Sequence, residues 1–507
     1  MVGIIFNFPF SIKKFHRGNI EKKGVLLIET VYKGTNKMII GIVFGVITFW
    51  LFAQAIVNVV PAVQEDLGIS LGTLNIGISL SALFSGMFIV AAGGLADKLG
   101  RKRIAYIGFI LSIIGSLCLV LAQGAALLII GRIIQGLSAA CIMPSTIALM
   151  KAYFEGAERQ RALSYWSIGS WGGSGVASFA GGAIATSLGW RWIFIFSIVF
   201  AVVGMFLLKD TPESKQESSG AFKFDYTGLG IFIITMIALN VLITYGSDLG
   251  WTSPISLLLI AVTIVGLIVF IKVEKSKKIV LIDFAVFKNG PYTGATVSNF
   301  LLNAIAGTLV VANTYVQVGR GFSSFQSGML SIGYLVTVLS MIRVGEKILQ
   351  RVGAKSPMIW GATITTIGVG IMGLTFLPDF TYTVVVFTGF ALFGLGLGIY
   401  ATPSTDTSVS NAPADKVGEA AGVYKMASSL GSAFGVAIST AAYATIAATG
   451  NLEWAATVGI IVNVIFGILS ILSILIMVPK DAGKLEKTTK PNLTSKLKSK
   501  EPEPIIE

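Results

Sequence analysis

GGLADKLGRKR, residues 93–103, lies between two apolar segments, is too polar for hydrocarbon and is too short to form a domain. Its two leading glycines permit a tight reversal and Asp97 can accept hydrogen bonds. Lys98, Arg101, Lys102 and Arg103 concentrate positive charge at one membrane face. Charge alone describes an ordinary loop on the positive side of a membrane, so the rest of the chain must say what the loop serves.

Composition sets the class. The chain has 507 residues, 54% hydrophobic and 12% charged, against a charged fraction of about a quarter in soluble globules. That balance defines a multi-spanning membrane protein. The formal charge of +13 resides in loops and tails beside apolar segments, which is membrane orientation and attraction to an anionic leaflet, not nucleic-acid binding. Cys118 and Cys141 both sit in apolar stretches, so no disulfide framework is expected. His16 is the single histidine and lies in a tail, which removes His-based triads and His-rich metal sites.

A spanning helix needs about 20 apolar residues. That length picks out fourteen windows: 39–62, 73–94, 104–123, 125–150, 162–187, 191–208, 226–246, 253–273, 292–318, 325–345, 356–377, 382–404, 419–447 and 454–478. Lys98 to Arg103, Lys151, Arg159, Arg161, Lys209 to Lys223, Lys272 to Lys288, Arg343 to Lys355 and Lys416 fall on one side. Arg191 and Arg320 fall on the other. This asymmetry places both termini in the cytoplasm, because an error of one span would invert it midway. Residues 1–37 read as a basic cytoplasmic tail. Val2 to Phe10 is interrupted by Asn7 and Pro9 and has no small-residue cleavage site. The Lys/Pro/Ser/Thr-rich stretch 479–507 reads as a disordered cytoplasmic end.

The spans repeat. Pro144-Ser145-Thr146 in the fourth recurs as Pro403-Ser404-Thr405 in the twelfth, and Gly173 and Ala177 of the fifth recur as Gly431 and Gly435 of the thirteenth. Gly345 to Lys355 echoes the opening loop, with Gln350 in the place of Asp97. Transporters are commonly built from two such halves around a central site. The expected division is a six-helix bundle (38–208), a cytoplasmic loop (209–224), two inserted helices (225–273), a second loop (274–291) and a second six-helix bundle (292–478). The fold class is therefore all-α integral membrane, with fourteen spans arranged 6+2+6.

G-x-L-A-D-x-x-G-R-K-R resembles the loop between the second and third helices of the major facilitator superfamily. That resemblance implies that Asp97 and Arg101 clamp neighbouring helices and loosen as the transporter rocks, with Gly93 and Gly100 as backbone joints. Gly131 to Ala140, GRIIQGLSAA, is similar to the family's helix-4 signature, which implies proton coupling for Arg132 and close packing for Gln135 and Gly136. From the residues alone, an arginine within a span is expensive and is expected either to snorkel outward or to face a central cavity.

In the fifth span Gly169, Gly173, Ala177 and Gly181 recur every four residues, a smooth stripe that lets helices approach closely. Ending in Gly181-Gly182, it resembles the helix-5 signature of drug exporters, although Ala177-Ser178 stands where that signature has Gly-Pro. The expectation is that the stripe seals the two halves against each other. In the first span Val57-Asn58-Val59-Val60-Pro61 survives from the pattern of related fourteen-helix antiporters, but Ala53-Gln54 replaces their usual Asp. Membrane carboxylates are the usual proton carriers, so the remaining acids matter. Asp406 follows the repeat motif and is the leading proton-carrier assignment, with Lys425 expected across from it; Glu346 and Glu419 lie at inner helix ends.

ITFWLFAQAIVNVVP, SALFSGMF, GRIIQGLSAACIMPST, RQRALSYWSIGSWGGSGV, GLGLGIYATPSTDT and YKMASS together closely resemble the staphylococcal Nor-type quinolone efflux pumps, over about Lys33 to Met477. The resemblance implies proton-driven export of fluoroquinolones and varied amphipathic drugs across a bacterial cell membrane, by a monomer that contacts lipid and needs no cofactor beyond the proton motive force. Expected cavity residues are Phe49, Phe52, Gln54, Asn58, Gln135 and Met143 from the first half and Asn299, Asn303 and Tyr334 from the second. Aromatic and soft side chains tolerate varied ligands. A carrier for an endogenous metabolite is the alternative. No HExxH, GxSxG, Walker-type loop or charged pore ring is present, which speaks against an enzyme or channel.

Overall fold

In hydrocarbon every backbone N–H and C=O must be satisfied within the chain, so long apolar runs become helices. The computed structural model describes residues 32–53, 55–216 and 224–484, and every regular element in it is helical. The helices are α1 (Asn36–Ile47), α2 (Val60–Leu67), α3 (Leu71–Leu99), α4 (Arg101–Val120), α5 (Ala125–Tyr153), α6 (Gly156–Ser167), α7 (Gly173–Leu188) and α8 (Arg191–Leu208). Next come α9 (Tyr226–Leu249), α10 (Pro254–Ser276), α11 (Gly290–Ala304), α12 (Gly307–Val318), α13 (Ser324–Leu330) and α14 (Ile332–Val352). The last are α15 (Lys355–Met372), α16 (Asp379–Asn411), α17 (Val417–Ala447) and α18 (Leu452–Met477).

Each of the fourteen windows falls on helix. Eleven described runs are long and apolar enough to cross a membrane on their own. The other three windows lie on the interrupted run from α1 to α2, on the run from α6 to α7, whose first two turns carry Glu158, Arg159 and Arg161, and on α15.

Three runs are broken where hydropathy shows nothing. A π-turn at Thr48–Ala53 and a 3-10 turn at Ile56–Val59 separate α1 from α2, and Pro61, with no N–H to donate, fits the start of α2. A second π-turn, Ile168–Gly172, joins α6 to α7. The ninth window steps at Ile305–Ala306 between α11 and α12. Such breaks re-aim side chains and free backbone groups in mid-span, as in transporter binding sites.

The internal repeat is physical. Trp166 donates its indole N–H to Thr146 Oγ1 at 3.0 Å, and Tyr424 OH lies 2.9 Å from Ser404 Oγ and 3.3 Å from Thr405 Oγ1. The Pro-Ser-Thr motif of each half thus meets an aromatic side chain one helix further on. A Cβ on Gly169 would meet Val46 at 3.2 Å and one on Gly181 would meet Ala55 at 2.8 Å. In the second half, Gly431 and Gly435 lie against the carbonyls of Phe300 and Ala304.

Helices α9 and α10 pack on each other, and α9 touches α3 and α17. Their outer faces are bare, with Ile234 62% and Leu258 63% exposed, as lipid-facing residues would be. At their basic end Asp225 pairs with Lys277 at 2.9 Å. Glu274 accepts the amide N–H groups of Leu281 and Ile282 at 2.6 and 3.1 Å, which turns the chain toward α11.

Candidate functional site

The opening loop forms one side of a seal between the halves. Gly100, at φ +124°, makes the reversal between α3 and α4. The Glu213 carboxylate then accepts the amide N–H groups of Lys102 and Arg103, both at 2.9 Å, at the start of α4. Asp97 and Arg101 form a buried pair at 2.9 Å. The second oxygen of Asp97 accepts the N–H groups of Gly418 and Glu419, at 2.7 and 3.1 Å, so this first-half carboxylate caps the first turn of α17 in the second half. Approach that close requires glycine: a Cβ on Gly93 would stand 2.1 Å from the Gly418 carbonyl oxygen, and one on Gly418 would stand 2.4 Å from that of Gly93.

The neighbouring contacts extend the seal. Asp406, fully buried, accepts from Arg159 Nε, Gln160 Nε2 and Ser410 Oγ, each at 3.1 Å. Lys151 donates to the Ala412 carbonyl at 2.6 Å. Glu346 is buried between Arg343 and Gln350. Gln350, the counterpart of Asp97, donates weakly across the halves to the Ala157 carbonyl at 3.4 Å. Glu419 accepts the Asp283 N–H at 2.6 Å, which ties the loop after α10 to the same corner. The Asp283 carboxyl is hydrogen-bonded by the Lys416 ammonium and by the Ala285 N–H, which hold it below the usual carboxylate range. Among the described residues these cross-half hydrogen bonds cluster at the basic end. A hydrophobic cluster toward the opposite end, around Ile56, Leu74, Leu128 and Trp190, is built from the first half alone.

Between the halves, above the seal, lies a cavity of about 220 Å³. It is assembled at the broken helices. Trp50 comes from the first π-turn, Ser170 and Trp171 from the second, and Asn303 and Ala306 from the step between α11 and α12. Tyr334, Phe393 and Leu397 add apolar walls, and Lys425, Ser428, Ser429 and Ser432 contribute one face of α17. Among the described residues no acidic side chain lines it.

The expected site residues separate. Asn303 and Tyr334 line the cavity. Phe49 is buried beside Trp50 in an edge-to-face pair at 5.3 Å, and Met143 is in the core. Asn299 is satisfied by Tyr424 O and Ser428 Oγ beneath the cavity. Gln54 lies outside the described residues, as do the side chains of Phe52, Asn58 and Ala177. Arg132 is neither snorkelling nor facing this cavity. Buried in the first half, it donates to the carbonyls of Ala53 at 2.6 Å and Gly77 at 3.3 Å, and to Gln135 Oε1 at 2.8 Å. The freed carbonyl at the π-turn gives the charge an acceptor, so it locks α5 to the broken first run.

The helix-5 stripe also departs from expectation. Gly169 and Gly181 pack on the first run within the same half, Gly173 is buried, and a Cβ on Gly182 would meet nothing within 4 Å. Gly172, one residue off the stripe, faces the second half, where a Cβ would meet Leu339 at 2.1 Å. The expected pairing of Lys425 with Asp406 does not form either. Arg159 takes Asp406, while Lys425 donates to Ser170 Oγ at 3.2 Å and lies 5.5 and 5.2 Å from the Trp50 and Trp166 ring centroids. Trp50, Ser170 and Trp171 are cavity residues that the expected site left out, and Lys425 was expected at Asp406 rather than here. A lysine within an apolar span was the available signal.

Two related helical halves, sealed at one end around a cavity, define a membrane transporter rather than an enzyme. Residues 42–436 match the Major Facilitator Superfamily, and the chain belongs to it. The quinolone resistance protein NorB of Staphylococcus aureus strains MRSA252 and COL is in each case 57% identical over 449 residues, covering 89% of this chain and 97% of the relative. Among solved structures, the proton:xylose symporter XylE bound to 6-bromo-6-deoxy-D-glucose superposes with a TM-score of 0.62 at 16% identity, covering 88% of this chain and 96% of that one. The human organic anion transporter MFSD10 gives 0.62 at 13% identity, over 87% of this chain and 100% of that one. A bacterial ferroportin homologue in an outward-facing state gives 0.59 at 15% identity, over 87% and 98%. These likenesses show the fold. The chain is a multi-pass cell-membrane transporter.

Proposed function

We propose that this transporter exports fluoroquinolones and other amphipathic drugs by alternating access, driven by inward proton movement, with the basic end and both termini in the cytoplasm. The observation that carries the reading is the cavity itself: aromatic and hydroxyl-lined, shared by both halves, and sealed toward the end that positive charge assigns to the cytoplasm. In this arrangement the site has delivered its cargo and is closed to the cytoplasm. The relatives that match over nearly their whole length are quinolone resistance proteins, which supports a drug cargo.

The acids fit a coupling role through the seal rather than through the cavity. Asp406, Glu346 and Glu419 each bridge groups at the basic end. Protonating Asp406 removes the charge that holds Arg159. Breaking a buried pair in this way costs about 3–5 kcal/mol, enough to shift a two-state seal substantially toward its open form. The 6+2+6 division follows as part of the same proposal, with α9 and α10 as lipid-facing additions to a monomer.

Everted membrane vesicles carrying the protein test the export reading. An imposed pH gradient, acidic inside, is expected to drive fluoroquinolone accumulation that a protonophore abolishes. Accumulation indifferent to the gradient removes proton coupling, and no accumulation of any quinolone leaves an endogenous metabolite as the cargo.

A further inference from the structure

Two buried hydrogen-bond donors meet at the central cavity, one with a single neutral acceptor and one with none. Lys425 is only 4% exposed, and its ammonium has the Ser170 hydroxyl and two indole faces for company. Among the described residues no carboxylate pairs with it, and none lines the cavity. Burying an ammonium without a counter-charge is costly, and cation–π contacts offset only part of that cost. Beside it, the indole N–H of Trp50 is buried with no hydrogen-bond partner among the described residues. Trp50 is placed there by the π-turn Thr48–Ala53 and Ser170 by the π-turn Ile168–Gly172, so the broken backbone assembles a pocket that asks for acceptor atoms.

We infer that this cavity recognises the carboxylate of a planar aromatic, amphipathic substrate, with the Lys425 ammonium and the Trp50 indole N–H as its donors. An ionised carboxylate is acceptor-only and takes charge-assisted bonds from both. The rings of Tyr334 and Phe393, 5.3 Å apart between centroids, offer flat apolar surface to the adjoining ring system. The enclosed volume of about 220 Å³ is below the range of about 300–1,000 Å³ for drug-sized ligands. It therefore holds the carboxylate and the first rings, while the remainder extends toward the unsealed end. A permanent cation would meet like charge at Lys425 and is disfavoured. The inference rests on the proposed role of this cavity as the transport site, and it names a carboxylate as the group that the cavity holds best among its cargoes.

The test uses the full chain in lipid nanodiscs and in proteoliposomes, with a quinolone carboxylic acid, its methyl ester and a quaternary ammonium dye as probes. In the unaltered protein the acid is expected to bind about 10- to 100-fold tighter than the ester, and the dye weakest. Lys425→Met is expected to bring acid and ester to equal affinity while ester binding stays as it was. Equal affinity for acid and ester in the unaltered protein overturns the inference, as does a Lys425→Met variant that weakens both alike while Trp50→Phe changes neither. Should Lys425→Met fail to fold, Trp50→Phe decides: a several-fold loss for the acid alone supports the carboxylate site, and no loss removes it. Lys425-dependent binding of an acid that is never transported would keep this site and defeat the transport reading. Transport that ignores the carboxylate would do the reverse.

Discussion

Asp97 shows how one carboxylate can set the state of a whole transporter. It neutralises Arg101 on its own half and caps α17 on the other. Asp97→Asn removes the charge, leaves Arg101 buried without its partner and weakens the cap. The sealed state is expected to lose on the order of 3 kcal/mol. Spin labels at the exposed positions Arg103→Cys and Asp415→Cys should then report a longer distance component that the parent lacks. Asp283 behaves differently because its pKa is depressed. Its contribution is fully present above an ordinary carboxylate pKa of about 4 and is lost only as pH falls through its lower folded value. Its tie to Lys416 should therefore persist from pH 5 to 8 and contribute nothing to pH-dependent transport there; Asp283→Asn with an unchanged transport profile between pH 6 and 8 checks this. At this scale the sequence was partly legible. The Asp97–Arg101 pair could be read from its motif, because the partners lie four residues apart across the reversal from α3 to α4. Lys425 could not be assigned, because its neighbours come from two π-turns more than 250 residues upstream, and Arg159 is the nearer partner for Asp406.

At the scale of elements, the helices were legible and their breaks were not. A hydropathy window averages over 18 or so residues, so it registers apolar length and is blind to a change of hydrogen-bond register at Thr48–Ala53 or Ile168–Gly172. The glycine stripe was legible as a packing face, yet its partner was not. Spacing says that a face is smooth and cannot say which helix lies on it. Contact geometry now ranks the glycines. Gly93→Ala would drive a methyl into the Gly418 carbonyl and should force α3 from α17, lowering transport at least tenfold with normal membrane insertion. Gly94→Ala, where nothing lies within 4 Å, should transport like the parent. Equal activity of the two variants would remove the close approach of these helices as a requirement. Gly172→Leu, against Leu339, should likewise impair transport. Gly173→Leu on the stripe tests whether the face toward α1 matters as much.

Over the whole molecule, the halves join at the basic end through charged and amide groups and hold between them a cavity that no acid lines among the described residues. In the proposed mechanism load and drive therefore lie at different levels: cargo at the broken helices, titratable groups in the seal. On that proposal, alternation of two states needs no proton carrier inside the cavity, only a seal whose stability depends on protonation. The two-half architecture was legible because the Pro-Ser-Thr motif recurs at a fixed offset, whereas the sealed conformation was not, since both states share one sequence. The most direct test is drug-driven proton movement in proteoliposomes, comparing the unaltered protein with Asp406→Asn. A fluoroquinolone gradient is expected to drive proton flux in the parent and to lose that coupling in Asp406→Asn while drug binding persists. Undiminished flux in the variant would contradict coupling through the Asp406–Arg159 seal.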